Sequence, residues 1–420
     1  MPSAEYILVN EGENEATATA LPFVVGLYFG FRSFIIILSV HVLDTDPRTG
    51  TALNVACDFL LLLVTAFATM GEASIHPGRM RQLSCVRWAF VFISVSGLSL
   101  LWSGTISLST SIAYWCAMAS DIAIVVMLLR ARPVSNVCRW LMEGYVWGAC
   151  AIAMIAWIMP AQSDLRLGDE ELLGANQIGY VCGFAFFFAL YLIREQKRRL
   201  IAPAALLAIT MLRSLSKTTI VAFVVSQGFL LASDRTISRK TKWLAVLAAT
   251  GVVAALWGLL SSYFEIYTSS GSQAESLTGR IGIWAYMLAE ALQSPWIGHG
   301  FDSVWKVVPP FGPDQFEAAH AHNELLQQFY AYGLVGVGMF AGVYFSLLRS
   351  IRRLAKGSLR SFLFAFLLFV VVRGFADTER FDLSLPMWAL VLISVLIDSQ
   401  PSRQAPLAVS PVVLEPSSGA

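Results

Sequence analysis

Apolar runs of roughly 15 to 23 residues recur along almost the whole chain, long enough to cross or nearly cross a hydrocarbon layer of about 30 Å. Nothing else in the sequence restricts the fold as strongly. In lipid every backbone N–H and C=O has to be paired within the protein, so such runs form helices or the strands of a closed barrel. Barrel strands alternate apolar and polar residues, and these runs do not. Composition agrees: 56% of residues are hydrophobic and 14% charged, where a soluble domain carries about 25% charged residues. A net charge of +1 gives no footprint for nucleic acid, so no nucleic-acid partner is expected.

The pattern predicts an all-α integral membrane protein with about twelve transmembrane helices. They fall near 21–43, 51–70, 88–104, 110–129, 140–159, 175–193, 199–213, 217–232, 243–263, 324–348, 361–375 and 385–398. The basic loops follow even-numbered helices: Arg79, Arg81 and Arg87; Arg130, Arg132 and Arg139; Arg194, Lys197, Arg198 and Arg199; Arg235, Arg239, Lys240 and Lys242; Arg349, Arg352, Arg353, Lys356 and Arg360. The positive-inside rule puts these loops and both termini in the cytoplasm. Residues 1–20 then form a cytoplasmic tail; Glu5, Glu11, Glu13 and Glu15 without a basic cluster do not make a cleavable signal peptide. Residues 21–398 are the membrane domain, and the Pro- and Ser-rich 399–420 is expected to be a disordered cytoplasmic tail.

The loops on the other side include one long stretch, 264–323, between helices 9 and 10. Inside it, Ile281, Trp284, Leu288, Ala291 and Leu292 recur at helical spacing, which predicts a surface helix over 280–293 ending before Pro295. Arg280 opens that helix. Helices 7 and 8 are short, and the turn between them holds Arg213 and Lys217, a pair placed to dip towards a central cavity.

Other polar residues have plainer readings. The six cysteines sit in apolar runs or basic loops and show neither a disulfide framework nor zinc spacing. Arg32 and Asp58 lie on consecutive antiparallel helices, so an internal ion pair is favoured over a proton path; Asp121 is a third intramembrane charge. Arg166 lies in an acidic loop, where pairing with Asp164, Asp169 or Glu170 competes with ligand contact. Arg373, Asp377, Glu379, Arg380 and Asp382 read as a self-paired rim network, with binding of a hydroxyl-bearing ligand as the alternative. Asp44-Thr45-Asp46 is a DxD triplet of the kind that holds metal in many glycosyltransferases, but Asp-Thr-Asp-Pro-Arg-Thr-Gly is also an ordinary turn. His320-Ala321-His322 lacks a carboxylate partner for metal. No metal or other cofactor is expected.

His322-Asn323, nine residues, then Gly333-x-x-Gly336 resembles the His-[Asn/Ser/Gln]-x9-Gly-x-x-Gly signature of the bacterial O-antigen ligase and polysaccharide polymerase superfamily. Leu277-Thr278-Gly279-Arg280-x-x-x-Trp284 followed by Pro295-Trp296-Ile297-Gly298-His299-Gly300 is similar to the loop of its exopolysaccharide polymerase branch. Gly174-Ala175-Asn176 and Ser214-Leu215-Ser216-Lys217-Thr218 are weaker matches, and the motifs together cover about 170–345. The chain departs from many relatives in carrying Lys217 where they have Arg, which keeps the charge but loses the bidentate fork.

The resemblance implies a GT-C-like bundle in a bacterial inner membrane with a helical periplasmic loop over the site. It implies a metal-independent glycosyltransferase that moves an undecaprenyl-diphosphate-linked glycan to a sugar hydroxyl, as a polymerase or as a ligase onto lipid A-core. His322 and Arg280 would be catalytic. Arg213, Lys217, Arg166, Asn323, Asn176 and Trp284 would contact diphosphate or glycan. A chain-length regulator and export proteins are the further partners implied. The rival class is a transporter, which would show internal repeats and charges along its helices.

Overall fold

The fold is that of a computed structural model, which describes residues 20–71, 83–162, 164–168, 172–195, 197–269, 277–303, 320–375 and 384–400. The described residues are helical with no strand, as the apolar runs require. In chain order the helices are α1 (Ala20–Phe31), α2 (Ser33–His41), α3 (Pro47–Ala68), α4 (Ser84–Leu98, extended by a 3-10 turn, Ser99–Trp102) and α5 (Leu108–Ala131). Next come α6 (Val134–Ile158), α7 (Ala175–Arg194), α8 (Ile201–Arg213), α9 (Lys217–Ser233), α10 (Arg239–Ala255) and α11 (Trp257–Ser269). The last four are α12 (Leu277–Ala291), α13 (Glu324–Arg353), α14 (Ser358–Gly374) and α15 (Ser384–Ser399). Each expected apolar run coincides with one helix or a bent pair, and α12 is the helix expected inside the long loop. The tails at 1–19 and 401–420 lie outside the described residues.

Among the described residues six helices are long and apolar enough to cross a membrane, or eight if the pairs α1–α2 and α10–α11, bent by 58° and 55°, each count as one span. Large apolar side chains face outward, among them Leu60, Leu63 and Phe67 on α3 and Trp243 and Leu247 on α10. Helices with apolar side chains turned outward as well as inward belong in lipid. The protein is an integral membrane protein. Helix α10 has no buried residue and stands outside the bundle.

The core forms around α15, which is buried along almost its whole length. Its Trp388 ring lies 5.1 Å from Phe29 on α1, 5.7 Å from Tyr145 on α6 and 5.9 Å from Phe188 on α7. Phe184, Phe187 and Phe188 of α7 interlock with Phe366 and Phe369 of α14, mostly edge to face. Helices α1 and α6 meet backbone to backbone. Gly26 and Gly30 on one and Gly144 and Gly148 on the other are both Gly-x-x-x-Gly pairs. A Cβ on Gly26 would stand 1.9 Å from the Leu141 carbonyl oxygen, and one on Gly144 would stand 2.0 Å from that of Phe23. Small residues permit this approach where apolar surface gives no net drive between helices in lipid.

The intramembrane charges correct one expectation. Arg32, at the α1–α2 bend, pairs with Asp121 on α5 at 2.7 Å, not with Asp58 as its primary partner. Asp58 on α3 is 1% exposed and lies within electrostatic reach of Arg32. All six cysteines are free thiols.

Candidate functional site

The polar end of the bundle is organised by a break in α13. Gly333 has φ 63° and ψ −158°, a region open essentially to glycine alone. The break deprives the Tyr330 and Ala331 carbonyls and the Leu334 and Val335 amides of their helical partners. The 295–300 segment restores all four. His299 N–H donates to Tyr330 O (3.0 Å) and Gly300 N–H to Ala331 O (2.8 Å), while Leu334 N–H donates to Pro295 O (2.8 Å) and Val335 N–H to Trp296 O (3.2 Å). The contact leaves no room for side chains: a Cβ on Gly333 would stand 2.3 Å from the Trp296 carbonyl carbon. The two sequence segments that looked like separate motifs are thus halves of one joint. On its other side the segment is tied to the turn after α4, where Phe301 N–H donates to Ser99 Oγ (3.0 Å) and Gly104 N–H to His299 O (3.1 Å).

Helix α12 lies over the first half of α13. Ile283, Met287 and Ala291 are buried with Ala321 and Tyr330. Trp284 Nε1–H donates to Ala321 O (2.9 Å), and Ala321 N–H donates to Gln327 Oε1 (2.9 Å). These bonds fix the backbone around His322, which is half-buried with φ 48°. A left-handed conformation is uncommon outside glycine, though histidine is among the residues enriched in it. The His322 ring centroid is 4.0 Å from that of His320. Asn323 is the N-cap of α13: its Oδ1 accepts from Leu326 N–H (3.0 Å), and its Nδ2–H donates to Phe375 O (2.9 Å) beyond α14. Arg280 is half-buried one turn before Ile283 and Trp284, on the α12 face that covers Ala321.

A second group surrounds the α8–α9 turn. Asn176, in the first turn of α7, accepts from Ser216 Oγ–H at 2.9 Å. Arg213 donates to Leu165 O at 2.8 Å. Lys217, the first residue of α9, lies 5.5 Å from the Tyr263 ring centroid. Arg166 pairs with Asp164, as its acidic loop suggested. The two groups share one end of the bundle. Arg373 at the end of α14 sits 3.6 Å over the Tyr180 ring, one turn below Asn176. A Cβ on Gly374 would stand 2.7 Å from Glu324 Oε2 at the start of α13. The opposite end holds further ion pairs, Arg194–Asp234 at 3.0 Å and Glu143 with both Lys197 and Arg199.

Sequence reasoning misplaced one residue here and missed another. Arg373 is 2% exposed and lies under the rim, not in it; the other four members of that cluster, 377–382, are outside the described residues. Glu324 was not singled out, although a carboxylate in the first helical turn beside His-Asn was a legible signal. Asp46 is the N-cap of α3, its carboxylate accepting from Thr49 N–H at 2.6 Å, and that bond holds its carboxyl below the ordinary range. Among the described residues no three His, Cys, Asp or Glu side chains gather as a metal site.

A cavity of about 450 Å³ opens beside this assembly. Its walls are Trp102 and Gly104, Tyr286 and Glu290 of α12, Gly298, His299 and Ser303, and Tyr330 of α13. Neither His322 nor Arg280 is among these walls. Tyr286 and Glu290, at i and i+4 on a helix legible in the sequence, were the signal for it.

Residues 202–341 match the family described as O-Antigen ligase. The matched region runs from α8 through the α13 break, so it holds Arg213, Lys217, Arg280 and His322. Over 276 residues, 60% of this chain, the sequence is 24% identical to the exopolysaccharide production protein ExoQ of Rhizobium meliloti, and the match spans 61% of that protein's length. Over 304 residues, 68% of this chain, it is 25% identical to an O-antigen ligase of Pseudomonas aeruginosa strain PAO1, spanning 70% of that protein.

Proposed function

We propose, from the premise that the chain belongs to the O-antigen ligase and polysaccharide polymerase superfamily, that it transfers a glycan from undecaprenyl diphosphate to a sugar hydroxyl. All twelve apolar segments then cross the bacterial inner membrane, both termini are cytoplasmic, and the α12–α13 end faces the periplasm. The observation that carries the reading is the placement of His322. Its backbone is locked between the Trp284–Ala321 bond and the Asn323 cap, at the bundle end that also carries Arg280, Arg213 and Lys217.

In this reading His322 accepts the proton of the attacking hydroxyl. The hydroxyl oxygen forms the new bond to the anomeric carbon, and the bond from that carbon to the diphosphate oxygen breaks. The diphosphate leaves with the electron pair. An imidazole titrates near neutral pH and suits the base. Arg280, with Arg213 and Lys217, holds the leaving diphosphate and offsets its charge without a metal ion. Arg166, held by Asp164, and Asn176 and Ser216 shape the α8–α9 corner around those cations. Trp284 and Asn323 position the His322 backbone and border the glycan.

Polymerisation of exopolysaccharide or O-antigen repeat units is the reading we favour, as in the branch that the 277–300 loop resembles. Transfer of finished glycan to lipid A-core is the alternative, supported by the longer match to the ligase. The test is the size distribution of lipid-linked and surface glycans in a deletion strain carrying wild-type or His322→Asn protein. Asparagine tolerates the left-handed backbone, so the variant loses the imidazole and little else. A loss of roughly 10²- to 10⁴-fold in transfer is expected with unchanged protein level. Single units stranded on the carrier mean a polymerase, and long polymer stranded there means a ligase. A normal profile in the deletion strain would overturn both.

A further inference from the structure

We propose that the cavity between α12, the 295–303 segment and the turn after α4 is a carbohydrate subsite, and that it holds a sugar ring of the acceptor glycan. The term acceptor rests on the glycosyl-transfer reading; the carbohydrate assignment rests on the cavity itself. Its volume of about 450 Å³ falls within the roughly 300–1,000 Å³ typical of small-molecule sites. Trp102 and Tyr286 present faces that are 41% and 45% exposed, on the polar end of the protein. Such amphipathic rings pack the C–H face of a pyranose while leaving its hydroxyls free.

The polar groups select for a neutral polyol. Among the described residues that line it, Glu290 is the one acid and there is neither Lys nor Arg. A diphosphate would be repelled there, whereas hydroxyls donate well to a carboxylate. His299 is held by Nε2–H to the Glu290 carbonyl oxygen (3.1 Å), because a carbonyl can only accept. Its Nδ1 is therefore the acceptor in the neutral ring. The ring stacks on Tyr330 at 4.5 Å and 23°, and both residues are fixed by the α13 joint. A wall set this rigidly loses little freedom on binding.

The site also sits where an acceptor would be needed. Tyr330 lines the cavity and is buried in the cluster with Ala321, the residue before His322. The cations that suit a diphosphate lie elsewhere on the same end of the bundle. Donor phosphate and acceptor sugar would thus meet from two differently charged compartments.

The test uses full-length protein in nanodiscs and, as probe, oligosaccharides released by mild acid from the wild-type organism's own envelope glycan. Binding is read by saturation-transfer NMR and by Trp fluorescence titration. Tyr286→Ala combined with Glu290→Gln should weaken binding by about tenfold or more, the loss of one ring face and one charged hydrogen bond. Gly338→Ala, where an added Cβ meets nothing within 4 Å, should bind like wild type. Because Tyr286 is half exposed, Tyr286→Ala alone tests the site without touching the core, and monodispersity and thermal stability check each variant's fold. The proposal is overturned if the double variant binds like wild type. It is overturned equally if the wild-type protein gives no saturation-transfer signal at millimolar probe. Normal glycans in the deletion strain would remove the transfer reading alone and leave the carbohydrate site standing.

Discussion

The α1–α2 bend at Arg32 and the α13 break at Gly333 both interrupt a membrane helix, and each is mended by a different kind of bond. At Gly333 the lost helical hydrogen bonds are replaced by main-chain bonds from residues 295–300. At Arg32 the bend is filled by a side-chain charge, which Asp121 meets at 2.7 Å. Non-helical backbone at membrane depth survives only where protein satisfies it. The backbone solution demands shape: glycine at the break and, on the facing segment, Gly298, where a Cβ would stand 2.4 Å from the Ala331 carbonyl carbon. The charged solution demands a partner, and shape matters less. The first builds a rigid joint, and the residues with candidate chemistry and the cavity both lie beside it. The second is a charge pair between α5 and the α1–α2 bend, which also meets the first turn of α7 through Gln177 Nε2–H donating to Ser33 Oγ (3.0 Å).

The largest effect is expected at the backbone joint. Gly333→Ala forces a region that costs about 1–3 kcal/mol for a residue with Cβ. It also pushes against the Trp296 main chain, endangering four hydrogen bonds worth ~1 kcal/mol each. A total near 4 kcal/mol or more belongs to the exceptional class of substitutions. Monodisperse yield in detergent and the apparent Tm should both collapse. Gly338→Ala, on the same helix with no heavy atom within 4 Å of the added Cβ, should be neutral or stabilising by up to about 1 kcal/mol. Equal behaviour of the two variants would refute the joint.

At the charged bend, the partners should not be equivalent. Arg32→Gln leaves Asp121 and Asp58 buried without their cation and should cost about 3–5 kcal/mol. Asp121→Asn leaves Asp58 within reach of Arg32, so it should cost less, about 1–3 kcal/mol. Thermal unfolding of the two purified variants checks the order. If Asp121→Asn proves the more damaging, the pair is not what holds the bend. A smaller loss, about 1 kcal/mol, is expected for Asn323→Ala, which removes the cap of α13. The same change cuts the tie to Phe375, so transfer activity should fall further than the Tm does.

The sequence could be read to different depths in these two places. Helix positions were legible because length and apolarity are local properties: the run at 217–232 became α9 (Lys217–Ser233), and the spacing of Ile281, Trp284 and Leu288 became α12. His322 and Asn323 were visible as a motif. The joint was not, since it pairs residues 295–300 with 330–335 through backbone groups that carry no side-chain signature. Asp121 was missed as the partner of Arg32 for a related reason. The two are 89 residues apart, while Asp58 sits on the next span and looked nearer. The glycine pairs of α1 and α6 were present as Gly-x-x-x-Gly, and only their packing revealed which helix each one met.

The smallest expected effect separates a helix cap from a metal ligand at Asp46. Its carboxylate is spent on Thr49 N–H, the bond that pulls its pKa below the usual range. A carboxyl lowered in the folded state contributes stability above its unfolded pKa, near 3.9, and loses it as pH falls through the folded value. Asp46→Ala should therefore lower the Tm slightly at pH 7, and this difference from wild type should shrink as the medium is acidified below about pH 4. Transfer activity should be unchanged by the substitution and by a chelator such as EDTA. Activity lost on chelation and restored by a divalent ion would make the Asp44-Thr45-Asp46 turn a metal site after all, and the cations of the α8–α9 corner and α12 would no longer be sufficient to hold the diphosphate.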